Sequence, residues 1–186
     1  FRWLIPIILR CLFLFRVSHT SLREIVMDGI RKSQRLLVGH GALVLLSAFV
    51  IGFGFLFFLI GEISLWPIPG SIDYQLPGTY DAWRMAHMEG ITNGFGLWLL
   101  AAVLPLLDLS AKTSRRIAIG MIITAWTIVI ASCFDPLFPS SRGLALTGDS
   151  SLTNDIAFLL FVIGIGIVVA IMCRIAYQCL FVRSKL

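Results

Sequence analysis

Residues 83–94 read Trp83-Arg84-Met85-Ala86-His87-Met88-Glu89-Gly90-Ile91-Thr92-Asn93-Gly94, and an apolar run continues from Phe95 to Leu107. The stretch stands where a polar loop enters a segment long enough to cross a bilayer, for which about 20 apolar residues suffice. His87, Glu89 and Asn93 then sit at or inside the edge of a membrane span. Polar side chains are costly to bury there, so their presence points to a task. An imidazole at such a depth can ligate a metal or haem iron, shuttle a proton, or hydrogen-bond a neighbouring helix.

The rest of the chain agrees with a span at this place. Of 186 residues, 58% are hydrophobic and only 13% charged, and mean hydropathy is +0.93. Soluble domains are about half apolar and a quarter charged, so this is an integral membrane protein. Four runs are long enough to span: Ala42–Ile60, Ile91–Leu107, Ile117–Phe134 and Ile156–Cys173. The second lengthens toward residue 87 if its helix starts in the polar signature. A barrel would need short alternating strands, and these runs do not alternate. The expected fold is an all-α bundle of four transmembrane helices.

The charges orient it. Arg31, Lys32 and Arg35 precede the first span, Lys112, Arg115 and Arg116 lie between the second and third, and Arg174, Arg183 and Lys185 follow the fourth. The other two connections carry only Arg84 and Arg142 among several acids. Both termini are therefore expected in the cytoplasm and the two longer loops outside. The net charge of +5 comes from residues that flank apolar runs instead of forming a patch, so no nucleic-acid partner is expected. Residues 27–186 read as one transmembrane domain. Residues 1–26 are interrupted by Arg10 and fit no span, and Met27 stands just ahead of the basic cluster. They read as sequence upstream of a start at Met27, or else as a short interfacial helix. The four cysteines follow no pairing or metal spacing, and no structural disulfide is expected.

Several residues outside the signature have ordinary explanations. Trp66, Tyr74, Tyr80 and Trp83 suit the aromatic belt at the membrane surface. The Pro-Gly pairs at 69–70 and 77–78 mark turns, so the first outer loop should fold compactly over the helix ends. His40, in Gly39-His40-Gly41, reads as an interfacial or capping histidine. Trp126 reads as packing, with an N–H that needs a partner when buried. Gly164 and Gly166 read as a close-packing face, and Asp135 with Arg142 as a weak outer pair.

Gly90 and Gly94 leave two readings open. Small residues at that spacing let another helix, or a flat ligand, approach closely. His87, Gly90 and Gly94 fall on one helical face, where an imidazole beside a smooth surface could accommodate a porphyrin. Asn93 is six positions from His87 and points roughly 120° away. One copy of the helix could hardly present both groups to opposite sides of one iron, whereas two copies could across a subunit interface. There is no phosphate-binding loop, zinc-protease motif or nucleophile elbow, and no repeated half to suggest a transporter.

At these residues the chain resembles the styrene-oxide isomerase family, small bacterial four-helix membrane enzymes. The likeness runs from about Met27 to near the C-terminus. Its anchors are Gly39-His40-Gly41, Gly52-Phe53-Gly54, Pro69-Gly70, Pro77-Gly78, Trp83 and Ala86-His87. They continue through Asn93-Gly94, Leu104-Pro105, Lys112-Thr113 with Arg115, Trp126 and Arg142-Gly143-Leu144. The resemblance implies a homotrimer in the bacterial inner membrane that binds haem b between neighbouring subunits. It implies His87 as the axial ligand and Asn93 as a residue that helps hold the epoxide oxygen. Ferric haem would act as a Lewis acid, rearranging a small apolar epoxide to an aldehyde or ketone with no net redox change.

The chain departs from the family at one catalytic position. The family's tyrosine near the outer end of the third span falls, counted without gaps from Lys112-Thr113 through Trp126, on Ser132. The third span contains no tyrosine. Ser132 is expected beside the open face of the haem, as a shorter and less acidic donor. Three readings compete: a haem-dependent epoxide isomerase; a haem carrier, sensor or electron-transfer subunit retaining His87; and a membrane-packing subunit without cofactor.

Overall fold

A computed structural model of the chain describes residues 4–65, 67–146 and 151–182, with side chains from residue 26 onward. The reading of residues 1–26 as a leader and that of Trp66 as a belt residue fall outside the described side chains. Helix α1 covers Leu4–Ile60, α2 Tyr80–Val103, α3 Ala111–Leu137 and α4 Leu152–Phe181. Among the described residues, four segments are long and apolar enough to cross a membrane: Val26–Ile60, Tyr80–Leu107, Ala111–Leu137 and Leu152–Phe181.

The helices outrun the apolar runs of the sequence, mostly at their N-terminal ends. Hydropathy registers only the lipid-facing centre, whereas a helix continues as long as its first N–H groups find acceptors. Thr79, Ser110 and Ser151 supply these, accepting from the backbone N–H of Ala82, Thr113 and Asn154 at 3.2 Å each. The hydroxyl caps place the starts well before the apolar residues begin.

Helices α1 and α2 share the most extensive interface, α3 packs on both, and α4 docks chiefly on α3. The α1–α2 seam is a reciprocal fit of glycines and side chains. A Cβ at Gly41 would stand 2.5 Å from the Trp98 ring, one at Gly52 2.8 Å from His87, and one at Gly54 2.7 Å from Trp83. In return, a Cβ at Gly90 would meet Ala48 at 2.7 Å and one at Gly94 would meet Leu45 at 2.6 Å. Trp98, His87 and Trp83 of α2 thus each have a hollow in α1, which draws the helix axes together. On α4, Gly164 is buried against Thr127 and Ile128 and its carbonyl accepts from Thr124 Oγ1 at 3.2 Å, while Gly166 faces open space. Half of that expected close-packing face is therefore used.

The loop between α1 and α2 forms a small antiparallel pair, β1 (Glu62–Ser64) with β2 (Ser71–Asp73). It then turns at Gly78, whose φ of +100° suits glycine and which lies against Pro136 of α3. Trp83 corrects the aromatic-belt expectation. It is buried in the core, and its indole N–H donates to the Pro77 carbonyl at 2.8 Å. Gly54 makes room for the ring, so Trp83 fastens the loop to the α1–α2 seam. Tyr74 and Tyr80 remain exposed, as belt residues do. The loop between α3 and α4 is held by Asn154, whose Oδ1 accepts from Gly143 N and whose Nδ2 donates to Ala145 O, both at 2.8 Å. Arg142 and Asp135 pair at 3.9 Å, as expected. Cys133, Cys173 and Cys179 are free thiols.

Candidate functional site

His87 lies on the second turn of α2, facing α1. Its Nδ1 is 2.9 Å from the carbonyl oxygen of Ala48. A carbonyl only accepts, so Nδ1 is the donor; in the neutral ring this tautomer leaves the lone pair on Nε2. Gly52, one turn further along α1, leaves the space into which the ring fits. A backbone carbonyl on the far nitrogen is the arrangement that orients metal-ligating histidines and raises their basicity. Among the described residues no three His, Cys, Asp or Glu side chains gather into a ligand set.

Gly90 and Gly94 do not form an open surface. Both are buried, and α1 fills the space above them with Ala48, Leu45 and the Gly41 carbonyl. Of the two readings left open for these glycines, the chain realises helix packing. The same α1 face that covers them also carries the acceptor for His87.

Asn93 is half-buried one turn after Glu89. Its Nδ2 donates to the Glu89 carbonyl oxygen at 2.9 Å and to Glu89 Oε2 at 3.0 Å. Both amide hydrogens are thus committed within α2. His87 and Asn93 have different hydrogen-bond partners, in keeping with their separation of about 120° around the helix. Nothing in the sequence pattern singled out Glu89 as the partner of Asn93, although the i, i+4 spacing on a helix permits it.

Ser132 departs from expectation. It is fully buried, and its hydroxyl donates to the Ile128 carbonyl at 2.9 Å, a backbone bond one turn back that serine makes commonly in helices. Position 132 lies toward the C-terminal end of α3, and the rotation of the helix turns it inward. Its neighbour Cys133 faces an apolar groove of about 340 Å³ between α1 and α3, with Trp126, Ser47 and Ile51 among the lining.

His40 is tied to the third helix. Trp126 Nε1 donates to His40 Nδ1 at 3.1 Å. The half-buried indole N–H thereby has its partner, and His40 acts as an interhelical acceptor instead of an interfacial cap.

Comparison with known proteins gives two matches. A family model described as styrene oxide isomerase matches residues 33–180. A styrene-oxide isomerase of Pseudomonas fluorescens is 30% identical over 112 residues, which is 60% of this chain and 64% of that protein. The match thus spans just under two thirds of the relative's length. His87, Asn93, Trp126 and Ser132 all lie within the residues that the family model covers.

Proposed function

This chain belongs to the styrene oxide isomerase family, and from that membership we propose that it is a haem b-dependent membrane isomerase that rearranges a small apolar epoxide to an aldehyde or ketone. The observation that supports the proposal is the His87–Ala48 hydrogen bond, which makes Nδ1 the donor and so assigns Nε2 of the neutral ring as the nitrogen that would ligate. When bound, ferric haem b would supply a Lewis acid able to polarise the epoxide C–O bond without net redox change.

The chain's own residues have separate tasks. His87 holds the cofactor through Nε2, while Ala48 fixes its tautomer and Gly52 its position. Asn93 donates to the epoxide oxygen, for which its amide gives up one of its two bonds to Glu89. Since His87 and Asn93 diverge on one helix, the site is completed by a second copy, in a homotrimer with haem between subunits. Gly90 and Gly94 contribute by letting α1 reach His87. Lipid surrounds the exposed apolar faces, and the basic loops orient both termini toward the cytoplasm of a bacterial inner membrane. With Ser132 turned inward, α3 offers no phenolic donor. Loss of one such donor costs about 10²–10³ in rate, so the isomerase is a slow one.

A second reading, a haem protein without isomerase activity, is favoured by the commitment of the Ser132 hydroxyl to Ile128. The visible spectrum of the purified protein, followed by incubation with an aryl epoxide under air and without reductant, tests both. A Soret band with carbonyl product supports the isomerase. A Soret band without product leaves the second reading, and no Soret band overturns the two together.

A further inference from the structure

At the end of the bundle away from His87, α1 and the start of α3 enclose a cavity of about 960 Å³. Five cations line it: Lys32, Arg35, Lys112, Arg115 and Arg116. Only Lys32 has an acid partner, Asp28 at 2.7 Å; the other four make no ion pair among the described residues. These four like charges around one hollow repel one another. Three of them also lie in the first two turns of α3, where no acid offsets the helix dipole. A helix N-terminus carries about half a positive charge and disfavours cations there. Orientation in the membrane requires basic residues on this side of the bilayer. It does not require that they converge on one cavity or stand at a helix N-terminus. Arg31, at the same level of α1, satisfies the orientation rule without lining the cavity.

The wall adds an apolar element. Leu36 and Ile119, each 41% exposed, line the same cavity one helical turn deeper into the span than Lys32 and Arg115. A ligand with anionic phosphate at the membrane surface and hydrocarbon below matches both parts. We propose that this cavity binds the headgroup of an anionic phospholipid, with the four unpaired cations on its phosphates and an acyl chain along Leu36 and Ile119. Basic hollows between transmembrane helices are suited to such headgroups. The site is independent of the haem and epoxide reading.

The test uses the full chain in bilayer discs of phosphatidylcholine, with or without a minor fraction of cardiolipin, and native mass spectrometry of retained lipid. Wild type should retain cardiolipin in preference to phosphatidylcholine and melt at a higher temperature in its presence. Arg115→Gln and Arg116→Gln should each weaken retention about five-fold, while Arg31→Gln should leave it unchanged. Lys112→Gln provides a second single-charge variant should either arginine variant fail to insert. Equal retention of phosphatidylcholine would overturn the proposal. So would an equal loss in Arg31→Gln, which would indicate a diffuse surface potential. Stabilisation to the same degree by inorganic phosphate alone would assign the cavity to a soluble anion and also overturn it.

Discussion

The imidazole of His87 occupies the space that a side chain at Gly52 would need. A Cβ there would stand 2.8 Å from Cε1 and 3.0 Å from Nδ1. The absence of a side chain on α1 thus sets the position of a ring on α2, and the carbonyl of Ala48 one turn earlier sets its tautomer.

Gly52→Ala should displace the ring and break the Nδ1 bond to Ala48. Loss of such a supporting bond weakens metal affinity by about 10–100-fold, so haem content and the Soret position should both change. Gly96→Ala, whose Cβ would meet nothing within 4 Å, serves as the matched control. It should leave the spectrum unchanged and, through helix propensity, match or exceed wild-type stability. An unaltered spectrum in Gly52→Ala would separate His87 from the cofactor.

His87→Ala should abolish the Soret band while the protein still inserts in the membrane, because none of the apolar spans depends on this residue. Absorbance of the purified variant together with membrane fractionation checks both parts. Stoichiometric haem with an unchanged spectrum would remove His87 as the ligand.

Trp126→Phe removes the donor to His40 and keeps most of the ring volume. Interhelical hydrogen bonds in membranes average about 0.6 kcal/mol and reach about 1.7 kcal/mol. A double-mutant cycle with His40→Ala, read by thermal unfolding in detergent, should give a coupling energy in that range. Additive effects of the two substitutions would mean the bond contributes nothing.

Ser132→Tyr should destabilise the protein and should not raise turnover. A phenol in a site with no accessible surface overpacks the core, at about 1–3 kcal/mol. Cys133→Tyr, on the groove side of the same helix, should be tolerated far better. Comparing the melting temperatures of the two variants checks the rotation of α3 directly. A stable Ser132→Tyr with faster epoxide conversion would show that position 132 faces the pocket after all.

Much of this was legible in the chain. Four spans follow from runs of apolar residues, because lipid imposes length and composition on any helix that crosses it. His87 stood out because a polar ring at a span edge is costly. The need of Trp126 for a partner was legible too, since a buried N–H must be satisfied, but that the partner would be His40, 86 positions away, was not. The aromatic-belt reading of Trp83 failed because composition cannot distinguish a ring at the membrane surface from one seated over a glycine on another helix.

By itself, the sequence determined that this is a four-span helical membrane protein carrying an isolated histidine at the start of its second span. Those properties depend on residues near one another along the chain: apolar length, hydroxyl caps and flanking charge. The tertiary structure decided which way each helix turns. It placed α1 over Gly90 and Gly94, set His87 against Gly52 and Ala48, committed Asn93 to Glu89 and turned Ser132 inward. Spacing along one helix specifies relative angles on that helix. The absolute rotation is set by the partner helix, through glycines whose only contribution is the space they leave.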